Sequence, residues 1–142
     1  MFIPHVVNTE ADKVFVNVLN NQTVATVDGD LLVWNVSSPD GVRVTQPAAA
    51  TLSLFVGVSD GAIAASGYGL AQAYGYKSAV AHIDDTATAT TAGTVFVPVA
   101  GQDYAAYSID GTGKEGFLFA AEAVVTDSTP AETTKGMFIR AL

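Results

Sequence analysis

The chain has 142 residues, enough for one domain with a core that needs no covalent cross-links. It contains no cysteine, which excludes disulfides and thiolate metal sites, and its net charge of −8 argues against direct binding to nucleic acid. Only 14% of its residues are charged, against about 25% in ordinary soluble domains, yet no run approaches the roughly 18 apolar residues of a membrane span. This composition predicts apolar surface buried against another subunit; a dense monomeric core is the alternative.

Residues 1–12 differ from the rest of the chain because they are apolar without the alternation of a strand. They also lack the basic segment followed by a long apolar segment that marks a signal peptide, so we expect synthesis in the cytoplasm. We interpret them as an N-terminal arm that clasps a neighbouring subunit, with a frayed tail as the alternative. Residues 13–142 then form a single domain. The apolar residues of the arm are Phe2, Ile3, Pro4, Val6 and Val7.

Period-two alternation with turn residues between the runs predicts a series of short strands after the arm. The first half of the chain gives the strands Val14–Leu19, Leu31–Val36, Val42–Gln46 and Leu52–Val58, followed by a short helical turn at Ala62–Ser66. In the fourth of these strands, one side is expected to carry Leu52, Leu54, Val56 and Val58.

The longest run, Tyr68–Ile83, predicts one long strand with two different sides. One side is almost wholly alanine and glycine, a composition that strand propensity disfavours. Glycine inside a strand commonly marks a bulge or the close approach of another backbone. We predict that this strand contacts a neighbouring subunit, with the monomer core as the alternative for the alanine side. The candidate contact residues are Ala71, Ala73 and Gly75 on that side and Tyr74 and Tyr76 on the other.

Further strands are predicted at Thr94–Val99, Phe117–Val125 and Gly136–Leu142, with polar loops between them. Pro98 favours an edge position or a strand end. No segment of twelve residues has a helical period with caps. The fold class is therefore all-β, a small β-barrel or β-sandwich with an extended N-terminal arm.

Residues that could carry catalysis or bind a metal are few. Asp28 with Asp30, or Asp84 with Asp85, could offer oxygen ligands to calcium, but neither pair has the spacing of an EF-hand loop, and solvated turn aspartates are favoured. His5 and His82 have no neighbouring ligand residue and are interpreted as surface or half-buried histidines. The chain is therefore expected to have no catalytic residue, metal or cofactor, and not to be an enzyme.

The tyrosines allow two interpretations. Aromatic faces stack on sugars, so they could line a carbohydrate groove. Tyrosine is also enriched at subunit interfaces, where its ring is buried and its hydroxyl group meets water. The glycine and alanine interleaved with them favour the interface. The residues concerned are Tyr68, Tyr74, Tyr76, Tyr104 and Tyr107.

Two segments together resemble the small head decoration, or cement, proteins and related accessory capsid proteins of tailed bacteriophages. The first is GDLLVWNVSSPDG at Gly29–Gly41, and the second is LFVGVSDGAIAASGYGLAQAYGY at Leu54–Tyr76. Within the second, the matching residues are Val56-Gly57-Val58, the run Ile63-Ala64-Ala65-Ser66-Gly67-Tyr68-Gly69, Gln72 and Gly75. These residues cover about a third of the chain and are turns and apolar strands rather than reactive groups.

The resemblance implies a β-rich domain on the outer surface of the virion that stabilises the capsid, commonly as a homotrimer bound to the major capsid protein. Such a protein would be made in the host cytoplasm and would contact neither nucleic acid nor membrane. Burial of apolar surface and strand addition at exposed sheet edges would supply the contacts. The alternative is a carbohydrate- or receptor-binding β domain of a phage tail or spike that uses the tyrosines.

Overall fold

A computed structural model describes residues 13–83, 90–107, 117–123 and 132–141. The arm, and with it Phe2, Ile3, Val6 and Val7, lies outside the described residues. The all-β prediction is confirmed. The strands are β1 Val14–Asn20, β2 Leu31–Trp34, β3 Arg43–Thr45, β4 Phe55–Ser59, β5 Tyr68–Ile83, β6 Val95–Pro98, β7 Ala105–Tyr107, β8 Leu118–Ala120 and β9 Glu132–Arg140, with one 3-10 turn at Leu52–Leu54.

The strands pair into two closed rings that share β5. In the first ring β1, β3, β2, β4 and β5 are neighbours in that order, and β1 pairs with β5 to close a five-stranded barrel. In the second ring β5, β7, β6, β8 and β9 are neighbours in that order, and β9 pairs with β5 to close the ring. Of the two architectures that the sequence allowed, the chain has the barrel.

The length of β5, 16 residues, follows from its place in both rings. Its first half pairs with β1 and β4, and its second half pairs with β9 and β7. Its register shifts opposite Val14 and Phe15, and again between Lys77 and Val80. Such irregularities bend a strand and increase its twist, which allows β5 to run from one ring into the other. On β5 these shifts fall at Ala73 and between Lys77 and Val80, and not at a glycine of the strand.

Each ring has its own apolar core, and β2 and β4 contribute to both. Leu31 and Val58 belong to one cluster of buried residues, whereas Leu32 and Val56 belong to the other. All five residues of β4 are buried. A strand covered on both faces has no polar side, which explains why β2 and β4 read as continuous apolar runs. The smaller core comprises Val18, Leu32, Val44, Val56, Ile63 and Ala71, and the larger comprises Leu31, Phe55, Val58, Val80, Phe96, Ala105, Leu118, Ala120, Met137 and Ile139.

The expectation that Leu52, Leu54, Val56 and Val58 share one side is wrong. The first three residues of that segment form the 3-10 turn, and β4 begins only at Phe55. In the pairing with β2, Leu32 lies opposite Gly57 and Val33 lies opposite Phe55, which leaves Val56 as an extra residue. This irregularity sends Val56 and Val58 into different cores.

Two further local expectations need correction. The segment Ala62–Ser66 is not a helical turn, because Ile63 forms an isolated β-bridge with Thr26, and the Gly67 N–H donates to the Ala64 carbonyl at 2.9 Å in a tight turn. The strand β7 was missed because its sequence, Ala-Ala-Tyr, carries little strand propensity. Pro98 does lie at the end of its strand.

Within the described ranges, no helix has the length and apolar character needed to cross a membrane.

Candidate functional site

Exposed apolar side chains concentrate on β1, β5 and β9. Of the ten large hydrophobic residues that are exposed in the described part of the chain, seven lie on these strands. The seven are Val14, Phe15, Tyr68, Leu70, Tyr74, Tyr76 and Phe138. We define the aromatic face as Tyr74, Tyr76 and Phe138, whose exposed fractions are 46%, 37% and 51%.

Two rings of the aromatic face, Tyr76 and Phe138, pack against each other across neighbouring strands. Tyr76 on β5 lies opposite Phe138 on β9, with ring centroids 5.6 Å apart and planes inclined by 59°. Tilted aromatic pairs at this separation attract each other. The Tyr76 ring also lies across Gly136, where a Cβ atom would come within 2.6 Å of the Tyr76 hydroxyl oxygen. The glycine therefore leaves the space that the ring occupies, and the exposed rings have a defined arrangement.

The backbone that carries the two tyrosines is held from inside by Gln72. This side chain is buried, and its Nε2 donates to the carbonyl oxygens of Tyr74 at 3.2 Å and Tyr76 at 3.0 Å. Gly75 between them has φ +97°, a conformation that side-chain-bearing residues rarely adopt. The position of the aromatic face therefore depends on a buried amide and one glycine rather than on the rings alone.

The first strand begins, and the last strand ends, beside Tyr74 of the aromatic face. Tyr74 is the pairing partner of Val14, the first residue of β1, and of Arg140, the last residue of β9. The Ala141 N–H continues the contact by donating to the Ala73 carbonyl at 2.9 Å. β1, the strand to which residues 1–12 are joined in sequence, therefore begins beside Tyr74.

The predicted contact residues on β5 divide between the core and the surface. Ala71 and Ala73 are fully buried within this chain, and Gly75 is buried as well. Their side has no surface left to offer a neighbouring subunit, so for these three residues the intersubunit interpretation is wrong and the monomer-core alternative holds. Tyr74 and Tyr76 remain exposed. Phe138 was missed because its approach to Tyr76 depends on a strand register that the sequence does not reveal.

The five tyrosines do not line one groove. Tyr107 packs against the larger core, with its ring 6.4 Å from that of Phe96, and Tyr104 is half-buried. Tyr68 is exposed, but it lies at the start of β5, in the half that pairs with β1. A carbohydrate surface would therefore have to use Tyr74 and Tyr76, together with Phe138.

A buried lysine ties three segments together behind the tyrosines. Lys77 on β5 is 6% exposed, and its Nζ donates to Asp28 Oδ1 at 2.8 Å and to Asp60 Oδ1 at 3.0 Å. Asp28 Oδ1 also accepts from the Gly61 N–H at 2.9 Å. Burial acts to raise the pKa of Asp28, but the hydrogen bonds from Lys77 and Gly61 and the charge of Lys77 together lower that pKa below its ordinary value of 3.8. This carboxylate therefore has a structural role.

The Lys77 cluster is expected to make stability depend on pH in the acid range. Because folding lowers the pKa of Asp28, its interaction stabilises the fold above pH 3.8 and is lost as the pH falls through the folded-state value. Asp28→Asn leaves the buried ammonium with one carboxylate and is expected to cost about 1–2 kcal/mol at pH 7. Lys77→Met should cost less than about 1 kcal/mol, because both aspartates are half-exposed. Urea unfolding at pH 7 and pH 3 measures the free energy of unfolding of both variants. Equal losses for Asp28→Asn and Lys77→Met would contradict this assignment.

The other candidate ligand residues also have structural surroundings. His82, expected at or near the surface, is fully buried; its Nε2 lies 3.3 Å from Thr133 Oγ1 and its ring meets Phe96 edge-on. Asp30 is buried, and its Oδ2 accepts from the Val27 N–H at 2.7 Å. No group of three or more histidine, aspartate or glutamate side chains suited to a metal occurs in the part of the chain that the structure describes. His5 and the pair Asp84-Asp85 lie outside it.

A cleft of about 240 Å3 lies away from the aromatic face, beside β2 and β3. Its charged lining residue, Arg43, forms an ion pair with Asp40 at 2.9 Å. The guanidinium group is therefore engaged within the chain, and we assign the cleft no role. Its lining residues are Trp34, Asn35, Val36, Pro39, Gly41, Arg43 and Leu54.

Residues that carry the resemblance to phage decoration proteins build the joint between β4 and β5. The backbone of β4 at Gly57 approaches the carbonyl group of Gln72, so that a Cβ atom on the glycine would lie 2.8 Å from that carbonyl carbon. Ile63 packs onto Gly69, where a Cβ atom would lie 2.5 Å from its Cγ1. These residues therefore specify close backbone packing, which is a property of the fold.

Comparison with known proteins adds no relative. No protein-family model matches the chain, and no curated protein matches it at a significant level.

Proposed function

We propose that this protein is a structural virion protein, a capsid decoration or cement subunit that binds the outer surface of a tailed bacteriophage head. The observation that carries the proposal is the aromatic face, which presents three exposed rings on the paired strands β5 and β9, two of them, Tyr76 and Phe138, packed against each other. Aromatic side chains held in this way dominate the binding energy of many protein interfaces. The surface suits contact with another folded protein, and stabilising a shell requires many copies of such a contact.

The partners in this proposal are the major capsid protein and further copies of the chain, most simply a homotrimer. The arm supports this assignment, because it carries Phe2, Ile3, Val6 and Val7 and is joined to β1, whose first residue pairs with Tyr74. Each such side chain contributes about 1.5–3 kcal/mol when fully buried, a gain that ordering the arm largely offsets. One arm would thus bind weakly, and many arms on one shell would bind strongly.

A role without catalysis fits the way the fold uses its buried polar side chains. Gln72 holds two carbonyl groups, Lys77 is bound by two aspartates, and Asn20 donates to the Val24 carbonyl at 2.9 Å and the Ile63 carbonyl at 3.1 Å. Each of these groups is used to join loops and strands. We therefore propose a binding protein rather than an enzyme.

The second candidate is a carbohydrate- or receptor-binding domain of a phage tail or spike. It is favoured by the same rings, because Tyr74, Tyr76 and Phe138 could stack on sugar faces. The two proposals differ in the partner, a folded capsid surface or a glycan. A glycan array probed with the purified protein would show binding dependent on Tyr76 in the second case only.

Removing two rings of the aromatic face is expected to weaken binding to heads by about thirtyfold, the loss expected for an interface hot spot. The variant carries Tyr76→Ser and Phe138→Ser, and binding is measured by co-sedimentation with empty heads assembled from the major capsid protein of the same phage. Because the two rings are partly exposed but pack against each other, the free energy of unfolding should fall by only about 0.5–1.5 kcal/mol, and the variant should remain folded. A version lacking residues 1–10 should also bind weakly while remaining folded.

The matched control carries Val24→Ser and Val27→Ser. These valines are 62% and 59% exposed and lie between β1 and β2, so the control removes exposed apolar surface away from the aromatic face. It should sediment with heads as well as the unaltered protein. Equal losses in both double variants, or no binding of the unaltered protein to heads, would contradict the proposal.

A further inference from the structure

β1 is paired along the whole of one edge but only at the end of the other. Along one edge, Val14–Leu19 pair with β5. Along the other edge, Leu19 and Asn20 pair with β3, and no further strand joins it within the described ranges. Among the residues that the structure describes, the segment Val14–Val18 therefore has an open edge, which we call the β1 edge.

The backbone hydrogen bonds of β1 show which residues face this edge. On the β3 side, the Leu19 N–H donates to Val42 and the Asn21 N–H donates to Val44, each at 2.9 Å. Asn20 between them donates to the opposite side, toward Gly67. Because the direction alternates along a strand, Phe15 and Asn17 point their N–H and C=O groups toward the β1 edge. Two donors and two acceptors therefore lie along it.

The sequence of the segment suits pairing with another strand. Val-Phe-Val-Asn-Val contains β-branched and aromatic residues and neither proline nor charge, the two features that natural proteins commonly use to block an open edge. Val14 and Phe15 are each 41% exposed. Two copies of a chain with net charge −8 repel each other, so an uncharged edge is a favourable place for them to meet.

We propose that two copies of this chain pair through their β1 edges, antiparallel about a two-fold axis. The length of the open segment determines the register: β3 occupies the edge from Leu19 onward, so the symmetric pairing that uses all five open residues places Val16 opposite Val16 of the second copy. Phe15 of each copy then lies opposite Asn17 of the other.

The facing groups in this register are complementary. Each Phe15 and Asn17 pair exchanges two N–H···O=C bonds, so the contact contains four hydrogen bonds between the chains and extends the first ring into a continuous sheet. The interface is isologous and therefore separate from any three-fold contact. It requires neither a capsid nor the aromatic face.

The test compares Asn17→Pro with Asn17→Thr. Proline removes the N–H that faces the β1 edge and is tolerated on edge strands at such positions, whereas threonine retains it. We expect the association constant for the two-copy step, from sedimentation equilibrium over a range of protein concentrations, to fall at least tenfold for Asn17→Pro and to stay within about twofold for Asn17→Thr. Circular dichroism establishes that both variants are folded.

Hydrogen exchange in the unaltered protein gives a second readout that needs no variant. The amides of Phe15 and Asn17 should exchange more slowly as protein concentration rises, while their exchange at low concentration remains fast. A monomer at every concentration would overturn the proposal, as would association that Asn17→Pro does not weaken. Protection of these amides that is independent of concentration would also overturn it, because the edge would then be covered within one chain.

Discussion

The Ala73→Arg variant is expected to unfold rather than to dissociate from its partners. Ala73 is fully buried at the register shift of β5, so the guanidinium group would have to enter the interior of the fold. An uncompensated buried charge costs about 3–5 kcal/mol, which is a large part of the 5–15 kcal/mol that stabilises a typical domain. Urea unfolding followed by far-ultraviolet circular dichroism measures the loss, and little folded protein should remain at 37 °C.

Tyr74→Arg provides the matched control at the adjacent position. Its side chain is 46% exposed, so the same charge stays in water and the free energy of unfolding should change by less than about 1 kcal/mol. The pair of variants separates the two interpretations of β5. The opposite result would be an Ala73→Arg variant that keeps its unfolding midpoint and only lowers the mass of an assembly. The alanine side of β5 would then be a surface between subunits rather than part of the core.

Much of the strand content could be predicted from sequence because alternation is a local property. The run Val14–Leu19 and the long run Tyr68–Ile83 were placed to within a residue, since each shows period-two side chains between turn residues. The closure of two rings could not be predicted. It depends on β5 pairing with four strands, three of which (β1, β7 and β9) are not its neighbours along the chain, and the hydrophobic pattern of one strand does not identify its partners.

The candidate site shows the same division between local and long-range information. Tyr74 and Tyr76 were found because alternation places them on the same side of one strand. Ala71 and Ala73 were assigned to an interface because small residues permit close approach both between subunits and within a core, and sequence does not distinguish the two. Phe138 and the space above Gly136 depend on the register of β9 against β5.

Buried polar side chains were the hardest feature to foresee. Gln72 and Lys77 lie in a strand pattern where a polar residue usually faces water, yet both are buried and bound within the fold. The partners of Lys77 come from the connection before β2 and from the turn after β4. Only the folded arrangement brings these segments together, so neither the burial nor the pairing leaves a local signal.

Gly57→Ala is expected to destabilise the fold strongly although it adds a single methyl group. A Cβ atom there would meet the carbonyl group of Gln72, with the carbonyl carbon at 2.8 Å and the Ala73 Cα at 3.2 Å, and both are backbone atoms that no side-chain rotation can move. The φ angle of +153° adds strain for any residue with a side chain. Separating β4 from β5 would disturb both cores. We expect a loss of at least about 3 kcal/mol in the free energy of unfolding, measured with urea.

Gly41→Ala is the control that separates the close approach from the φ angle. Gly41 has φ +73°, and a Cβ atom there meets nothing within 4 Å, so alanine should cost only the left-handed conformation, about 1–2 kcal/mol. The difference between the two variants measures the contact of β4 with β5. Equal losses for Gly57→Ala and Gly41→Ala would show that β4 and β5 can separate at no cost in free energy. The contact between these two strands would then not determine how the two rings are held together.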